Sequence, residues 1–175
     1  MEYSCNASFR AERGNREHGL PRDPAHPHAL KAVVVDDHVD GGTAFAMVLS
    51  YLGCSTRLLT TAYRLPDALR SFMPDVVFLD IALPGISGDE AARALRKDPS
   101  YSKLFLVAHT ATDSSLLDWQ DAGFDLHLLK PADVEMVKAV LLEAARRAGR
   151  LKETLYAPAL NAPASGRRDS MRRPG

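Results

Sequence analysis

The segment at residues 74–88, PDVVFLDIALPGISG, constrains the fold more than any other part of the chain. Its four apolar residues, 76–79, end abruptly on the carboxylate of Asp80, and a turn-rich stretch containing Gly85 and Gly88 follows. A short apolar run bounded by turn signals is typical of a strand that is buried on both faces of a parallel sheet. Because ligands bind just beyond the carboxyl ends of such strands, we expect Asp80 to lie at a functional site.

The rest of the sequence alternates strand and helix patterns. Apolar runs predict strands at residues 31–35, 55–59, 76–79, 104–108 and 125–129, and apolar residues at helical spacing predict helices at about 39–52, 65–72, 87–97, 114–122 and 134–148. Each crossover between parallel strands must pack its helix back onto the sheet. The pattern therefore predicts one α/β domain at residues 30–149.

The two flanking segments, residues 1–29 and 150–175, lack apolar periodicity and are rich in proline and charged residues. Such segments bury too little apolar surface to offset the entropy of ordering, so we predict two disordered tails, the second of them basic. Too few ordered residues follow the last predicted helix for a helix-turn-helix, and we expect no DNA-binding domain.

Composition narrows the functional classes. The chain has 22 basic and 22 acidic residues, so its net charge does not indicate a nucleic acid or an anionic membrane as partner. No apolar run approaches the about 18 residues that span a bilayer, and the first residues lack the apolar core of a signal peptide. Its two cysteines cannot form a disulfide framework. These features favour a cytoplasmic protein without membrane association.

Polar residues follow four of the predicted strands at their carboxyl ends. They are Asp36 and Asp37, Asp80, Thr110, and Lys130. Three clustered carboxylates would repel one another unless a cation intervened, and Mg²⁺ suits a site of few carboxylates and several waters. An amine and a hydroxyl suit phosphoryl oxygens. The set therefore predicts a site for phosphoryl transfer, in which a carboxylate can serve as the nucleophile.

The motifs VVVDDH, VVFLDIALPGISG, VAHTATD and HLLKP occur in this order across residues 30–149. Together they resemble the receiver domain of response regulators in two-component signalling. The resemblance implies a flavodoxin-like fold: a five-stranded parallel sheet of order 2-1-3-4-5 with helices on both faces. The phrase AGFDLHLLKPAD is similar to receivers attached to hybrid sensor kinases, so the chain is identified as either a single-domain or a hybrid-kinase-type receiver.

The resemblance also implies the roles of the acidic residues. Asp80 would be the phosphoacceptor, which takes its phosphoryl group from a histidine kinase or a histidine phosphotransfer protein. Asp36, Asp37 and Asp80 would bind Mg²⁺ together with the backbone carbonyl of Ala82. Such a protein assists its own phosphorylation and dephosphorylation but is not an enzyme acting on outside substrates.

The remaining roles concern the switch. Thr110 and Lys130 would contact the phosphoryl group, and the bond from Lys130 to Pro131 is expected to be cis. Movement of Thr110 would be coupled to an aromatic side chain on the fifth strand, where this sequence has His127 instead of tyrosine or phenylalanine. The switch would change the face formed by the family's fourth helix, fifth strand and fifth helix, which would contact an output protein or a second copy.

Three alternatives stay open from the residues alone. An aspartyl-nucleophile phosphatase would place a general acid two residues after the nucleophile, where this chain has Ala82. A nucleotide-binding module is suggested only by Gly41 and Gly42, without a phosphate-binding motif. A receiver-like adaptor that works without phosphorylation has no support from the complete site, although His127 leaves some room for it.

Overall fold

The computed structural model describes residues 29–111 and 119–150. Its strands are β1 (Lys31–Val35), β2 (Ser55–Leu59), β3 (Val76–Leu79), β4 (Phe105–Thr110) and β5 (Leu126–Leu129). All neighbouring strands pair in parallel, in the order β2-β1-β3-β4-β5. The predicted flavodoxin-like sheet and its strand order are confirmed.

Four α-helices lie in the described residues: α1 (Val39–Tyr51), α2 (Leu65–Phe72), α3 (Gly88–Lys97) and α4 (Val134–Arg147). Helix α1 stops at Gly53, whose φ of 89° suits a residue without a side chain. Short 3₁₀ turns at Ala62–Arg64 and Pro99–Tyr101 were not predicted. Three residues are too few to show an apolar period, so such turns leave little trace in a sequence.

Two apolar cores sandwich the sheet. Successive side chains of a strand point to opposite faces, so Val34 and Phe78 pack with α1 and α4, whereas Val35 and Leu79 pack with α2 and α3. Strands β3 and β4 are buried along their whole length, as expected for strands covered on both faces. The helices thus lie on both faces, which leaves the edges of the sheet for polar residues.

The helix predicted at 114–122 falls mainly on residues 112–118, outside the described part of the chain. Residues 119–122, which belong to the predicted range, form a turn instead of a helix, and the turn closes at Gly123, where φ is 95°. The Phe124 amide donates to the Trp119 carbonyl (3.1 Å) and the Gly123 amide to the Gln120 carbonyl (2.9 Å), a pattern that ends helices at glycine.

Most of both predicted tails lies outside the described residues as well, so the domain boundaries stay predictions. Within residues 29–111 and 119–150, no helix combines the length and the apolar character needed to cross a bilayer.

Candidate functional site at the carboxyl edge of the sheet

Two aspartates lie side by side where the central strands end. Val35 of β1 is paired with Leu79 of β3, so the next residues, Asp36 and Asp80, are neighbours. The Asp80 amide donates to the Val35 carbonyl over 2.9 Å. Asp36 is only 2% exposed and Asp80 6%. Two carboxylates that lie this close together and are shielded from water require positive charge nearby.

Lys130 supplies that charge from the end of β5. Its Nζ lies 2.8 Å from Asp36 Oδ2 and 2.5 Å from Asp80 Oδ2. Burial alone would lower the pKa of Lys130, but the hydrogen bonds to Asp36 and Asp80 outweigh it, and the pKa is raised. The amine therefore stays protonated and balances one of the two carboxylates.

Thr110 closes the same edge between these groups. It is the last residue of β4, the strand between β3 and β5, and is 1% exposed. Its carbonyl accepts a hydrogen bond from the Lys130 amide over 2.8 Å. The parallel register thus brings the hydroxyl-bearing residue to the sheet edge shared by Asp80 and Lys130.

The loop after β3 orients the Asp80 carboxylate. The Ala82 amide donates to Asp80 Oδ1 over 3.1 Å, while Oδ2 faces Lys130. Helix α3 then begins with a capping box, in which Ser87 Oγ accepts from the Glu90 amide and the Glu90 carboxylate accepts from the Ser87 amide. Both oxygens of the Asp80 carboxylate thus accept hydrogen bonds, Oδ1 from the Ala82 amide and Oδ2 from Lys130.

Two glycines permit the close packing of helices against the strand ends. A Cβ on Gly88 would lie 2.1 Å from the Asp80 carbonyl oxygen, so only glycine fits where α3 begins. A Cβ on Gly42 would lie 2.8 Å from Leu58 Cδ1 and 3.1 Å from Asp36 Cβ. Gly42, which had suggested a nucleotide loop, is thus a packing residue of α1 beside Asp36.

Asp37 and His38 form the rim beside Asp36. His38 Nδ1 lies 3.2 Å from Asp37 Oδ1 and 3.9 Å from Asp36 Oδ1. One donor atom from each of these three residues lies within 4.8 Å of the other two, close enough to share an ion. Asp80 is not in this group and is joined to Asp36 through Lys130. Sequence reasoning missed His38, although it follows the acid pair directly in VVVDDH.

The predicted switch residue, His127, lies on β5 and is paired with Ala108 of β4. Its ring stacks on Trp119, with ring centroids 6.2 Å apart and planes inclined by 27°. Its buried Nε2 has no hydrogen-bond partner among the described residues. The peptide bond from Lys130 to Pro131 is cis.

His109 is a second histidine that the sequence did not single out. It precedes Thr110 on β4, is 4% exposed, and stacks on Phe45 of α1 at 4.1 Å between ring centroids. Its Nε2 has no partner in the described part of the protein. Burial, and then the positive charge of Lys130, lower the pKa of His109 to about 4. It is therefore a neutral ring packed beneath the site.

The arrangement has a clear chemical consequence. The buried pair Asp36 and Asp80 shares one ammonium, and Asp37 adds a third carboxylate at the rim. The site thus has more negative than positive charge. Its oxygen donors are of the kind that a hard divalent cation takes, so the residues present fit Mg²⁺.

Known proteins resemble this chain in both sequence and fold. The profile of the response regulator receiver domain matches residues 32–142. Stress response regulator protein 1 of Scheffersomyces stipitis is 28% identical over 64% of this chain and 40% of its own length. DNA-binding response regulator MtrA of Mycobacterium tuberculosis is 32% identical over 58% of this chain and 44% of its own length. The chain thus spans less than half the length of these two relatives.

Solved structures agree. A response regulator receiver domain from Methylobacillus flagellatus has 25% identity and a TM-score of 0.60, over 66% of this chain and 98% of its own. The receiver domain of a sensor histidine kinase from Pseudomonas aeruginosa, solved with a magnesium ion coordinated in its active site cleft, has 21% identity and a TM-score of 0.60, over 66% and 96%. Since the family profile covers more than half of the 175 residues, the chain belongs to the response regulator receiver domain family.

Proposed function

We propose that Asp80 accepts a phosphoryl group from a histidine kinase or a histidine phosphotransfer protein, with Mg²⁺, and that this switches a protein-contact surface. The observation that carries the proposal is the ammonium of Lys130 between Asp36 and Asp80. It places a positive charge beside the carboxylate of Asp80, which would act as the nucleophile.

The chemistry follows from the positions of these groups. A carboxylate oxygen of Asp80 attacks the phosphorus in line, forming an O–P bond as the P–N bond of the phosphohistidine donor breaks. The departing imidazole nitrogen keeps the electron pair. The Lys130 ammonium turns from the Asp80 oxygen to a phosphoryl oxygen, and the Thr110 hydroxyl donates to another. The charge developing on the phosphoryl group is thus met by donors already at the edge.

The magnesium ion would be held by Asp36, Asp37, Asp80 and the backbone carbonyl of Ala82. When bound, it would neutralise phosphoryl oxygens and offset the repulsion between the incoming anion and the carboxylates. The excess of carboxylates over the single ammonium supports this assignment. So does the magnesium ion in the cleft of the Pseudomonas aeruginosa receiver domain.

The proposed role is that of a switch, without turnover of outside phosphoesters. Ala82 has no acidic side chain to protonate a leaving group, which disfavours an aspartyl phosphatase. An adaptor that ignores phosphorylation is disfavoured because all the predicted phosphoryl contacts lie at one edge of the sheet. We place the receiver unit at residues 30–149 and the protein in the cytoplasm.

The contact surface that responds would include β5 and α4, which corresponds to the family's fifth helix. A groove of about 450 Å³ runs between them. Its lining includes the apolar residues Leu126, Leu128 and Met136 and the charged residues Glu143 and Arg147. His127 lines the same groove and stacks on Trp119, so a movement of His127 would reach both the groove and Trp119.

Phosphorylation with acetyl phosphate tests the proposal. Wild-type protein with Mg²⁺ is expected to gain the mass of one phosphoryl group and to change the fluorescence of Trp119, its single tryptophan. Asp80→Asn should show neither change, and chelation of Mg²⁺ should prevent both in the wild type. Phosphoryl incorporation into Asp80→Asn at the wild-type level, or none in the wild type, would overturn the assignment.

A further inference from the structure

We propose that Tyr63 is a positioning residue for phosphorylation of Asp80, because it packs against the loop whose backbone orients that carboxylate. The inference rests on the proposed function, since it concerns how the same carboxylate is held. Its basis is a contact between two loops, in which the Tyr63 ring lies against Gly85 in the loop between β3 and α3.

The contact is close because Gly85 has no side chain. A Cβ on Gly85 would lie 3.1 Å from Tyr63 Cε2 and 3.3 Å from the Tyr63 hydroxyl oxygen. Gly85 also has a φ of 81°, a backbone conformation that residues with a side chain rarely adopt. The glycine therefore permits the turn at the tip of the loop and leaves the space that the tyrosine ring occupies.

The backbone around Tyr63 is itself fixed. Tyr63 lies in the 3₁₀ turn that follows β2, and its amide donates to Thr61 Oγ1 over 3.4 Å. Its neighbour Ala62 is 5% exposed and belongs to the same apolar core as Leu83 of the loop between β3 and α3. The Tyr63 residue is 64% exposed, so its ring adds little to that core and acts locally, at the tip of the loop.

The loop reaches the reacting group through its backbone. The Ala82 amide donates to Asp80 Oδ1 over 3.1 Å, and further along the loop the Gly88 amide donates to the Ile81 carbonyl over 3.0 Å. The tip of the loop lies between these two hydrogen bonds, where the Tyr63 ring packs against it. A looser tip would let the amide at position 82 leave the carboxylate, which could then rotate away from the orientation needed for attack.

Phosphorylation kinetics with acetyl phosphate at saturating Mg²⁺ test this role. Tyr63→Ala is expected to lower the maximal rate about fivefold, because the carboxylate is less well oriented. The half-saturating concentration of acetyl phosphate should change less than about twofold, because binding of the donor is not altered. Tyr63→Phe keeps the ring and should keep at least about half of the wild-type rate.

Tyr51→Ala is the matched control, since it is the same substitution at a tyrosine that is 91% exposed on α1, and it should keep the wild-type rate. A maximal rate in Tyr63→Ala equal to that of the wild type would overturn the proposal. So would a loss of rate that Tyr63→Phe shares in full, because the phenylalanine ring retains the packing against Gly85.

Hydrogen exchange of the Ala82 amide, followed by NMR in the unphosphorylated full chain, gives an independent answer. Exchange should be about tenfold faster in Tyr63→Ala than in the wild type, and unchanged in Tyr63→Phe and Tyr51→Ala. Exchange at Ala82 that is the same in Tyr63→Ala and the wild type contradicts the positioning role. An acceleration that the amides of β3 share equally would mean a general loss of stability and would also overturn it.

These outcomes separate the two proposals. Mg²⁺-dependent phosphorylation at equal rates in the wild type and Tyr63→Ala would leave the proposed function intact and remove only the role of Tyr63. Faster exchange at Ala82 in Tyr63→Ala, in a protein that acetyl phosphate does not modify, would keep the contact between the loops and remove the phosphoacceptor function.

Discussion

Strand β3 has an aspartate at each end, and the two are used differently. At the amino end, Asp75 Oδ2 accepts the Lys31 amide at 2.8 Å and Arg150 Nη1 at 3.0 Å. At the carboxyl end, Asp80 shares the single ammonium of Lys130 with Asp36. The amino end of β3 thus has one carboxylate for one cation, whereas the carboxyl end has two carboxylates for one cation.

The charge balance differs between the two ends of β3. Asp75 accepts hydrogen bonds from Lys31 and Arg150, which lie 44 and 75 positions away in the sequence. Arg150 also donates to the Ala29 carbonyl at 3.2 Å. These hydrogen bonds hold the first and the last described residues near the amino end of β3. The charge of Asp75 is already balanced. The carboxyl end has more negative than positive charge, and a site with that imbalance favours a bound cation.

The largest expected effect is a difference in phosphorylation between the variants of Asp80 and Asp75. Asp80→Asn is expected to abolish Mg²⁺-dependent incorporation from acetyl phosphate, because an amide is not a nucleophile at this position. Asp75→Asn should keep more than about half of the wild-type rate, since Asp75 lies at the opposite end of β3. Intact-mass measurements over time follow phosphoryl incorporation in the two variants. Equal loss of incorporation in both variants would mean that the two ends of β3 do not differ in function.

A second effect concerns acid stability at the carboxyl end. His109 has a pKa of about 4 when folded, below the usual 6.5 of an unfolded chain. Between about pH 6.5 and 4 the unfolded chain therefore binds a proton that the folded protein does not, and stability falls as pH falls. Full loss amounts to about 3 kcal/mol. His109→Leu should remove this share of the acid sensitivity.

Urea unfolding at pH 7.5, 5.5 and 4.5 measures that share. The stability difference between His109→Leu and wild type should shift in favour of the variant as pH decreases. His28→Gln is the control for replacing a histidine. A pH-independent difference would mean that the burial of His109 does not affect its protonation.

A third effect tests the amino end. Asp75→Ala leaves the Lys31 amide and the Arg150 guanidinium without this acceptor, and should lower the free energy of unfolding by about 2 kcal/mol. Asp67→Ala removes an exposed carboxylate paired with Arg70 and should cost less than about 1 kcal/mol. Urea denaturation compares the two variants. Equal costs would show that Asp75 is only a surface charge.

The smallest effect concerns the helix that follows Asp80. Ser87→Ala removes the side-chain half of the α3 capping box and should cost about 1 kcal/mol, whereas Ser87→Asn should restore most of it. Thermal unfolding followed by circular dichroism can resolve this difference. Failure of asparagine to rescue would indicate that Ser87 acts through the Asp80 loop and not through the cap.

Much of the fold was accessible from local pattern. The apolar run at residues 76–79 is long enough for one strand and ends in a turn, so β3 and the position of Asp80 followed directly. The same logic placed Asp36, Thr110 and Lys130 at one edge, because the carboxyl ends of parallel strands coincide. The 3₁₀ turn at Ala62–Arg64 did not follow, since three residues have no period.

The resemblance to receiver domains implied the strand order of the sheet. The sequence by itself determined the order of the elements and which residues reach the carboxyl edge of the sheet, since these depend on periodicity and on the shared edge of parallel strands. Only the tertiary structure decided how their charges are shared. The contact between Lys130 and Asp36 spans 94 positions, and no local pattern encodes it. The neutral state of His109 depends likewise on packing, because burial and neighbouring charge exist only once the chain has folded.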